Sequence, residues 1–437
     1  MRLPSSDHGR LLLLTALGLL AGIAATGCGS SSKPGGSSVR SAAFTGIPAG
    51  GTQVDVCLRV DQYQIAAGAF GNTDPITVWG YVQTGTGADC TFSSPDPATT
   101  VNSLSQPALS LSEGSYLVVH LQNNLPAGGY IEPVSITIPG QTFIGDENGL
   151  RGPTWTDGST GPRTNYSQRV RSFTIDTAAG ATRQYAFGPL KAGTYLYQSG
   201  THPQVQVQMG LYGPLVVNPT TAGRAYPDPS SAYDDQVTLL FSEIDPVLHA
   251  AVAAGTYGPN PPDPAPAGWL TSTIDYHPKY FLVNGAPFIS PGSARAVPRN
   301  ARILLRFLNA GLDTKVPQLI VHVPPPPNGN QPPAPVDQHM RVIAEDGNFY
   351  AVTGTGASAG TSCAAPRAQY SAPLAAGRTT DAILVTPTTE NTSIPIFDRR
   401  LHLTNNGVAG PGGQYALLAT NATPGPALPA PTACALP

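Results

Sequence analysis

Charged residues are scarce in this chain of 437 residues, since aspartate, glutamate, lysine and arginine together make up only 11% of it. A soluble domain usually carries about 25%. The net charge of −3 and the lack of any run of lysine or arginine argue against nucleic acid as a partner. The sequence also lacks a His-Glu-X-X-His motif, a P-loop and a dinucleotide-binding glycine pattern, so it gives no support to those enzyme classes.

Long amphipathic helices are equally scarce, whereas glycine and proline number 48 and 46. Short alternating apolar runs such as ITVWGYV, RSFTIDT and QVTLLFSEI recur along the chain, with Gly, Pro, Asn or Asp between them. This pattern predicts an all-β fold of sandwiches or barrels. One helix is expected, near residues 246–254.

The N-terminus predicts export. Residues 1–28 carry two arginines, an apolar run from Leu11 to Ala25 and small residues that end at Cys28. The run is short for a membrane-spanning helix and is typical of a signal peptide. The last four residues are similar to a bacterial lipobox, which predicts a lipidated Cys28 and attachment to the membrane of the bacterial envelope, on its periplasmic or cell-surface side. An ordinary cleaved signal with an incidental Cys28 is the alternative.

The segment after the signal is rich in glycine and serine, and residues 29–45 are expected to be a flexible tether. Two domains should follow, over residues 46–222 and 230–437, because residues 217–229 lack periodicity and contain many helix and strand breakers. The proline-rich stretches 258–268 and 324–335 should be surface loops inserted in the second domain.

Four cysteines remain besides Cys28, an even number that fits an oxidising compartment. Three pairings are possible. Pairing within each half would join Cys57 to Cys90 and Cys363 to Cys434, and the second bond would fix the C-terminus. Metal ligation is the competing interpretation, but the sequence has no Cys-X-X-Cys motif or Cys/His cluster to support it.

Several segments resemble the multicopper oxidases, the family that includes the laccases. In the first half these are QPALSLSEGSYLVVHLQNNLP and GTYLYQSGTHPQVQVQMGLYGPLVV; in the second half they include LLFSEIDP, RFLNAG and VIAEDG, in the family's order. The resemblance implies two consecutive cupredoxin-like Greek-key β-sandwiches. The strand-turn-strand segment around Glu113 is expected to be a hairpin or a turn between strands.

The copper ligands that the family uses are missing. Four His-X-His pairs bind its three-copper cluster, and this chain contains no His-X-His. The resemblance puts Thr137 and Pro139 at one pair of ligand positions and Gln198 and Gly200 at another. Ser199 stands where some two-domain relatives have the cysteine of the blue-copper site, which needs thiolate and imidazole ligands. We therefore expect no catalytic residue and no bound cofactor.

A divergent copper site is the alternative, with His202 and Met209 as candidate ligands. His202 is expected on a rim loop, where a backbone-bonded structural histidine is the simpler interpretation, and Met209 fits core packing. His120 is expected to face solvent. The acidic pair Glu243 and Asp245 is interpreted as bonding strand ends and turns.

Two hypotheses of different classes follow. The first is a lipid-anchored, multicopper-oxidase-like envelope protein that has lost its copper centres, is not an active oxidase, and serves as a binding scaffold for a protein partner. The second is a copper-dependent oxidoreductase or copper carrier that uses the site near His202 and Met209.

Overall fold

The computed structural model describes residues 39–40, 44, 46–92, 100–125, 133–162, 168–288, 294–324, 338–353, 362–403 and 412–425. Nearly all their regular structure is β-strand, which confirms the predicted all-β class. The predicted signal peptide with Cys28, residues 29–38 of the predicted tether, most of the predicted loop 324–335, and Cys434 lie outside the described residues. No helix in the described ranges is both long and apolar enough to cross a membrane.

Two main sheets form the first half of the chain, and β1 with β4 and β9 with β10 form two further two-stranded sheets. One main sheet has the strand order β3-β2-β7-β11-β8, with β5 beside β2, and the other has the order β12-β13-β6. Apolar side chains from both sheets meet in one core. The strands are β1 (Val39–Arg40), β2 (Gln53–Ile65), β3 (Ile76–Thr86), β4 (Asp89–Cys90), β5 (Thr100–Val101), β6 (Leu109–Ser112), β7 (Tyr116–Asn123), β8 (Phe143–Asp146), β9 (Thr154–Trp155), β10 (Val170–Ser172), β11 (Thr182–Phe187), β12 (Gly193–Gln198) and β13 (Tyr212–Asn218).

The second half repeats this arrangement with a seven-stranded sheet, β15-β14-β17-β24-β19-β20 with β23 beside β19, and a four-stranded sheet, β16-β26-β25-β18. A second core lies between them. The strands are β14 (Asp235–Ile244), β15 (Tyr280–Val283), β16 (Arg295–Arg299), β17 (Arg302–Asn309), β18 (Pro317–Leu319), β19 (Met340–Glu345), β20 (Asn348–Phe349), β21 (Ala351–Thr353), β22 (Ser362–Ala364), β23 (Arg367–Gln369), β24 (Thr379–Val385), β25 (Ser393–Asp398) and β26 (Tyr415–Pro424).

Two short α-helices join the halves. The predicted helix is confirmed as α2 (Pro246–Ala253), whereas α1 (Pro203–Met209) was not predicted. A 3-10 turn, Pro229–Ser231, lies between them. Although α2 follows a strand of the second half, its Leu248, Ala251 and Val252 pack into the core of the first half. The halves therefore share apolar core, and residues 37–437 form one compact unit.

The stretch between the halves is packed against the protein, because Ala225 and Tyr226 are buried against the second half. The turn around Glu113 joins strands of opposite sheets, since β6 pairs with β13 and β7 pairs with β2 and β11. The segment is therefore a turn between strands of different sheets, as one of the two expectations stated, and not a hairpin.

The disulfide predicted within the first half is confirmed, since Cys57 and Cys90 are bonded. The bond links the long strand β2 to the short strand β4. Cys363 lies in β22, but its side chain and Cys434 are outside the described residues, so that pairing stays a prediction.

Candidate functional site

The strand end predicted to deliver copper ligands carries a hydrogen-bonded cluster of neutral side chains. Ser199 follows β12 directly, and its hydroxyl donates to the Gln206 carboxamide oxygen at 2.6 Å. The Gln206 amide nitrogen donates to the carbonyl of Pro133 at 3.0 Å. Both Ser199 and Gln206 are fully buried. The Ser199 hydroxyl is thus held in place by a buried amide side chain.

A second group of hydroxyls continues this cluster toward the surface. The backbone N–H of Gly200 donates to Ser135 Oγ at 3.1 Å, and the Thr201 hydroxyl donates to the Asp176 carboxylate at 2.7 Å. Arg171 pairs with the same carboxylate, its Nη2 lying 2.7 Å from Asp176 Oδ2. The cluster therefore ends in an ion pair that is only partly shielded from solvent.

Two of the four positions that the resemblance assigns to missing histidines lie side by side. Thr137 and Gln198 exchange backbone hydrogen bonds of 2.8 and 2.9 Å. Residues directly opposite each other in an antiparallel pair carry their side chains on the same face, so these two side chains point to the same side.

The donor set around Ser199 does not fit copper. Copper sites of this kind are built from thiolate and imidazole groups, whereas the polar atoms here are hydroxyl, carboxamide and carbonyl oxygens, with the Asp176 carboxylate at the outer end of the cluster already paired with Arg171. These atoms already satisfy one another by hydrogen bonds, so accepting an ion would require breaking them. No reaction step through copper is derived from this cluster.

His202 and Met209 lie at opposite ends of α1. His202 is the half-buried residue that caps the helix start, with φ 37, and Met209 is the fully buried last residue, packed in the first core. Seven residues at about 1.5 Å each separate their backbones by about 10 Å along the helix axis. The helix does not bring the two together, and a copper ion shared by them stays a prediction.

The expectation for His120 was wrong. Its ring is buried on β7, and Nε2 lies 2.7 Å from Asp55 Oδ1 on the neighbouring strand β2. Strand alternation suggested a solvent face, but both faces of this central strand are covered. A carboxylate partner makes this burial tolerable.

The acidic pair Glu243 and Asp245 has the structural role predicted for it. Glu243 forms a buried ion pair with Lys315 and accepts backbone N–H bonds from Leu312 and Asp313. Asp245 caps α2 by accepting from Val247 N at 2.9 Å. Within the described residues, no group of three or more His, Cys, Asp or Glu side chains is arranged to hold a metal ion.

An exposed apolar surface borders the Ser199 cluster. Phe173 has 61% of its surface exposed and donates its backbone N–H to Gly200 O at 3.0 Å. Val170, on the short strand β10, is 40% exposed, and Leu150, in the loop after β8, is 42% exposed. We call these three residues the rim patch.

Comparisons with known proteins agree with the fold. A family model described as multicopper oxidase matches residues 87–222. The blue copper oxidase of Nitrosomonas europaea superposes with a TM-score of 0.51 at 17% identity, over 84% of this chain and 86% of that one. The multicopper oxidase mgLAC gives 0.50 at 17% identity, over 85% and 87%. No curated protein matches the sequence.

Proposed function

We propose a function without copper chemistry for this chain, whose residues 87–222 match the multicopper oxidase family model and whose fold is similar to that of a blue copper oxidase. The protein is a lipid-anchored scaffold of the bacterial envelope that works by binding a partner protein. Its cupredoxin-like sandwiches serve as a rigid frame.

The observation that carries this proposal is the Ser199–Gln206 hydrogen bond of 2.6 Å. It joins two fully buried residues, one of which, Ser199, is aligned by the resemblance with the blue-copper cysteine of some two-domain relatives. A buried polar pair that is fully hydrogen-bonded stabilises a core, whereas a lost ligand set alone would leave a cavity or unpaired groups. The cluster supports a frame that has been repacked to be stable without metal.

The rim patch supports binding as the mode of action. Phe173, Val170 and Leu150 are apolar and exposed, and Phe173 follows the strand β10 that carries Val170; exposed apolar groups that lie together favour protein association. Arg171 and Asp176 lie at its border as an ion pair, which matches the polar rim of a protein interface.

Photo-crosslinking in the bacterial envelope tests this binding. A photoreactive phenylalanine analogue replaces Phe173 in one variant and Leu401 in a control, because Leu401 is as exposed, at 65%, but lies in the second half. We expect one defined adduct from position 173 and none from position 401. Equal adducts at both positions, or no adduct from 173, would contradict the proposal.

The anchor is tested separately by Cys28→Ala. Fatty-acid labelling should be lost and the protein should move from the membrane fraction to the soluble fraction. Retention in the membrane after this change would overturn the lipid anchor and leave the binding role to be judged by the crosslinks.

A further inference from the structure

A concave site lies on the second half of the chain, away from the Ser199 cluster. It is a cavity of about 170 Å³ between the start of α2 and the segment Trp269–Tyr276. A cavity of about 150 Å³ is large enough to hold benzene. The space therefore suits a group with about six to eight non-hydrogen atoms.

Two aromatic rings in the lining are held in fixed positions. The Trp269 indole N–H donates to Gly258 O at 2.7 Å, and the Tyr276 hydroxyl donates to Gln208 Oε1 at 3.0 Å. Since their polar atoms are already bonded, the rings offer their faces and edges to a ligand. A preorganised lining of this kind reduces the ordering cost of binding.

The remaining lining combines aliphatic side chains with negative charge. Val247 and Ile274 are 55% and 86% exposed, which makes Ile274 the most exposed large apolar residue in the described part of the chain. Two carboxylates, Asp245 and Asp275, line the cavity, and none of its lining residues is Lys, Arg or His.

The two carboxylates differ in availability. Asp245 already accepts backbone N–H bonds from Val247 and His277, both at 2.9 Å. Asp275 is exposed, and its side chain makes no hydrogen bond or ion pair with any described residue. A cation in the cavity would thus find one free carboxylate and one structural carboxylate.

From this combination we infer that the cavity binds a quaternary ammonium group. The methyl groups of such a cation can contact the aliphatic and aromatic walls, and its charge is attracted by the indole face and by Asp275. A primary ammonium is more strongly hydrated and would lose more on leaving water. The inference is independent of the copper question and of the rim patch.

The test is calorimetric titration of the full-length protein, in an uncharged maltoside detergent and phosphate buffer, with choline. The control ligand is the neutral carbon isostere, in which a tert-butyl group replaces the trimethylammonium group. We expect saturable choline binding that is about tenfold tighter than binding of the isostere. No saturable binding, or equal binding of both ligands, would overturn the inference.

Variants assign the binding to this cavity. Asp275→Asn should weaken choline binding by about fivefold, whereas Glu390→Gln, an exposed carboxylate outside the cavity, should leave it unchanged. Trp269→Leu should weaken binding more than Trp269→Phe, because both lose the bond to Gly258 and only the first loses the aromatic face. If the tryptophan variants fail to fold, the result for Asp275→Asn decides the question. Choline binding that is unchanged in every variant would contradict the assignment of the binding to this cavity.

The source of the ammonium group is resolved by sedimentation of the Cys28→Ala variant, which lacks the proposed lipid anchor, with lipid vesicles. Binding to phosphatidylcholine vesicles and not to phosphatidylglycerol vesicles would indicate a lipid headgroup. Choline binding without vesicle binding would indicate a free solute.

Discussion

The hydroxyl of Ser199 and the carboxamide of Gln206 form a 2.6 Å hydrogen bond in the interior of the first half. The bond links the end of β12 to the middle of α1, so it fixes the helix against the sheet. Gln206 in turn donates to Pro133 O at 3.0 Å, which ties in the chain that precedes the residue pair Thr137 and Pro139. Ser199 therefore connects β12, α1 and the segment at Pro133 in the interior of the first half.

Replacing Ser199 with alanine should destabilise the protein by about 1–3 kcal/mol, because the buried oxygen of Gln206 loses its donor. Urea unfolding measures the change. Ser103→Ala, at an exposed serine, is the control and should change the free energy of unfolding by less than about 0.5 kcal/mol. Equal effects of the two changes would contradict a structural role for Ser199.

The contact between the halves includes a buried ion pair. Arg306 Nη1 and Asp381 Oδ2 are 3.5 Å apart, and Asp381 accepts hydrogen bonds from Thr194 at 2.6 Å and from Tyr226 at 2.7 Å. Asp381→Asn should cost about 3–5 kcal/mol, since it leaves the Arg306 charge buried without a counter-ion.

An exposed ion pair provides the control for that change. Arg295 and Asp235 are 3.1 Å apart on the surface of the second half. Asp235→Asn should cost less than about 1 kcal/mol, because solvent screens the pair. If the two substitutions lower the urea midpoint equally, the buried pair does not stabilise the contact between the halves.

His249 should make stability depend on pH. Its ring is buried between the halves, with Nδ1 2.7 Å from Thr77 O and Nε2 3.0 Å from Gln208 O. Burial lowers the pKa of His249, although both carbonyls and Asp245 oppose the shift. The unfolded chain therefore binds a proton at His249 more readily than the folded protein does. The stabilisation that His249 contributes is fully present above about pH 6.5 and decreases as the pH falls below that value.

Urea unfolding at pH 7.5 and pH 5 measures this dependence. The free energy of unfolding should fall toward acid, by at most about 1.4 kcal/mol per pH unit from this residue. His249→Gln should reduce the slope, and His322→Gln, at an exposed histidine, should leave it as in the wild type. Identical slopes for all three proteins would contradict the assignment.

The disulfide between Cys57 and Cys90 spans 33 positions of the sequence. Its removal by the double change to serine should cost about 3–4 kcal/mol in the chain-entropy model. A loss below about 1 kcal/mol would mean that the loop is ordered without the bond. Adding reductant to the double variant then tests the second predicted bond, since a further loss is expected only if Cys363 is also oxidised.

The sequence was sufficient for the fold class because strand periodicity is local. Periodicity did not predict helix α1 (Pro203–Met209), because valine and glutamine alternate there as they do in a strand. The alternation misleads because residues 205–209 are all buried, so the helix has little polar face. The prediction that His120 faces solvent was wrong for a related reason, because strand β7 is covered on both faces.

The candidate site was only half predictable. The absence of His-X-His pairs predicted which positions lack copper ligands, and the resemblance to two-domain relatives singled out Ser199. Gln206 was not found, because its bond to Ser199 depends on the helix that periodicity missed. The alternation of glutamines in α1 was the available signal: a glutamine buried in a helix requires a partner.

We propose that this protein functions without copper, and the copper content of the full-length protein is the measurement that checks this first. The protein is produced with copper in the growth medium, analysed for copper per chain, and titrated with copper under oxidising and reducing conditions beside a denatured control. We expect far less than one copper ion per chain and an affinity for copper no higher than that of the denatured control. Near-stoichiometric copper that is lost when His202 or Met209 is replaced would contradict it and establish the divergent site instead.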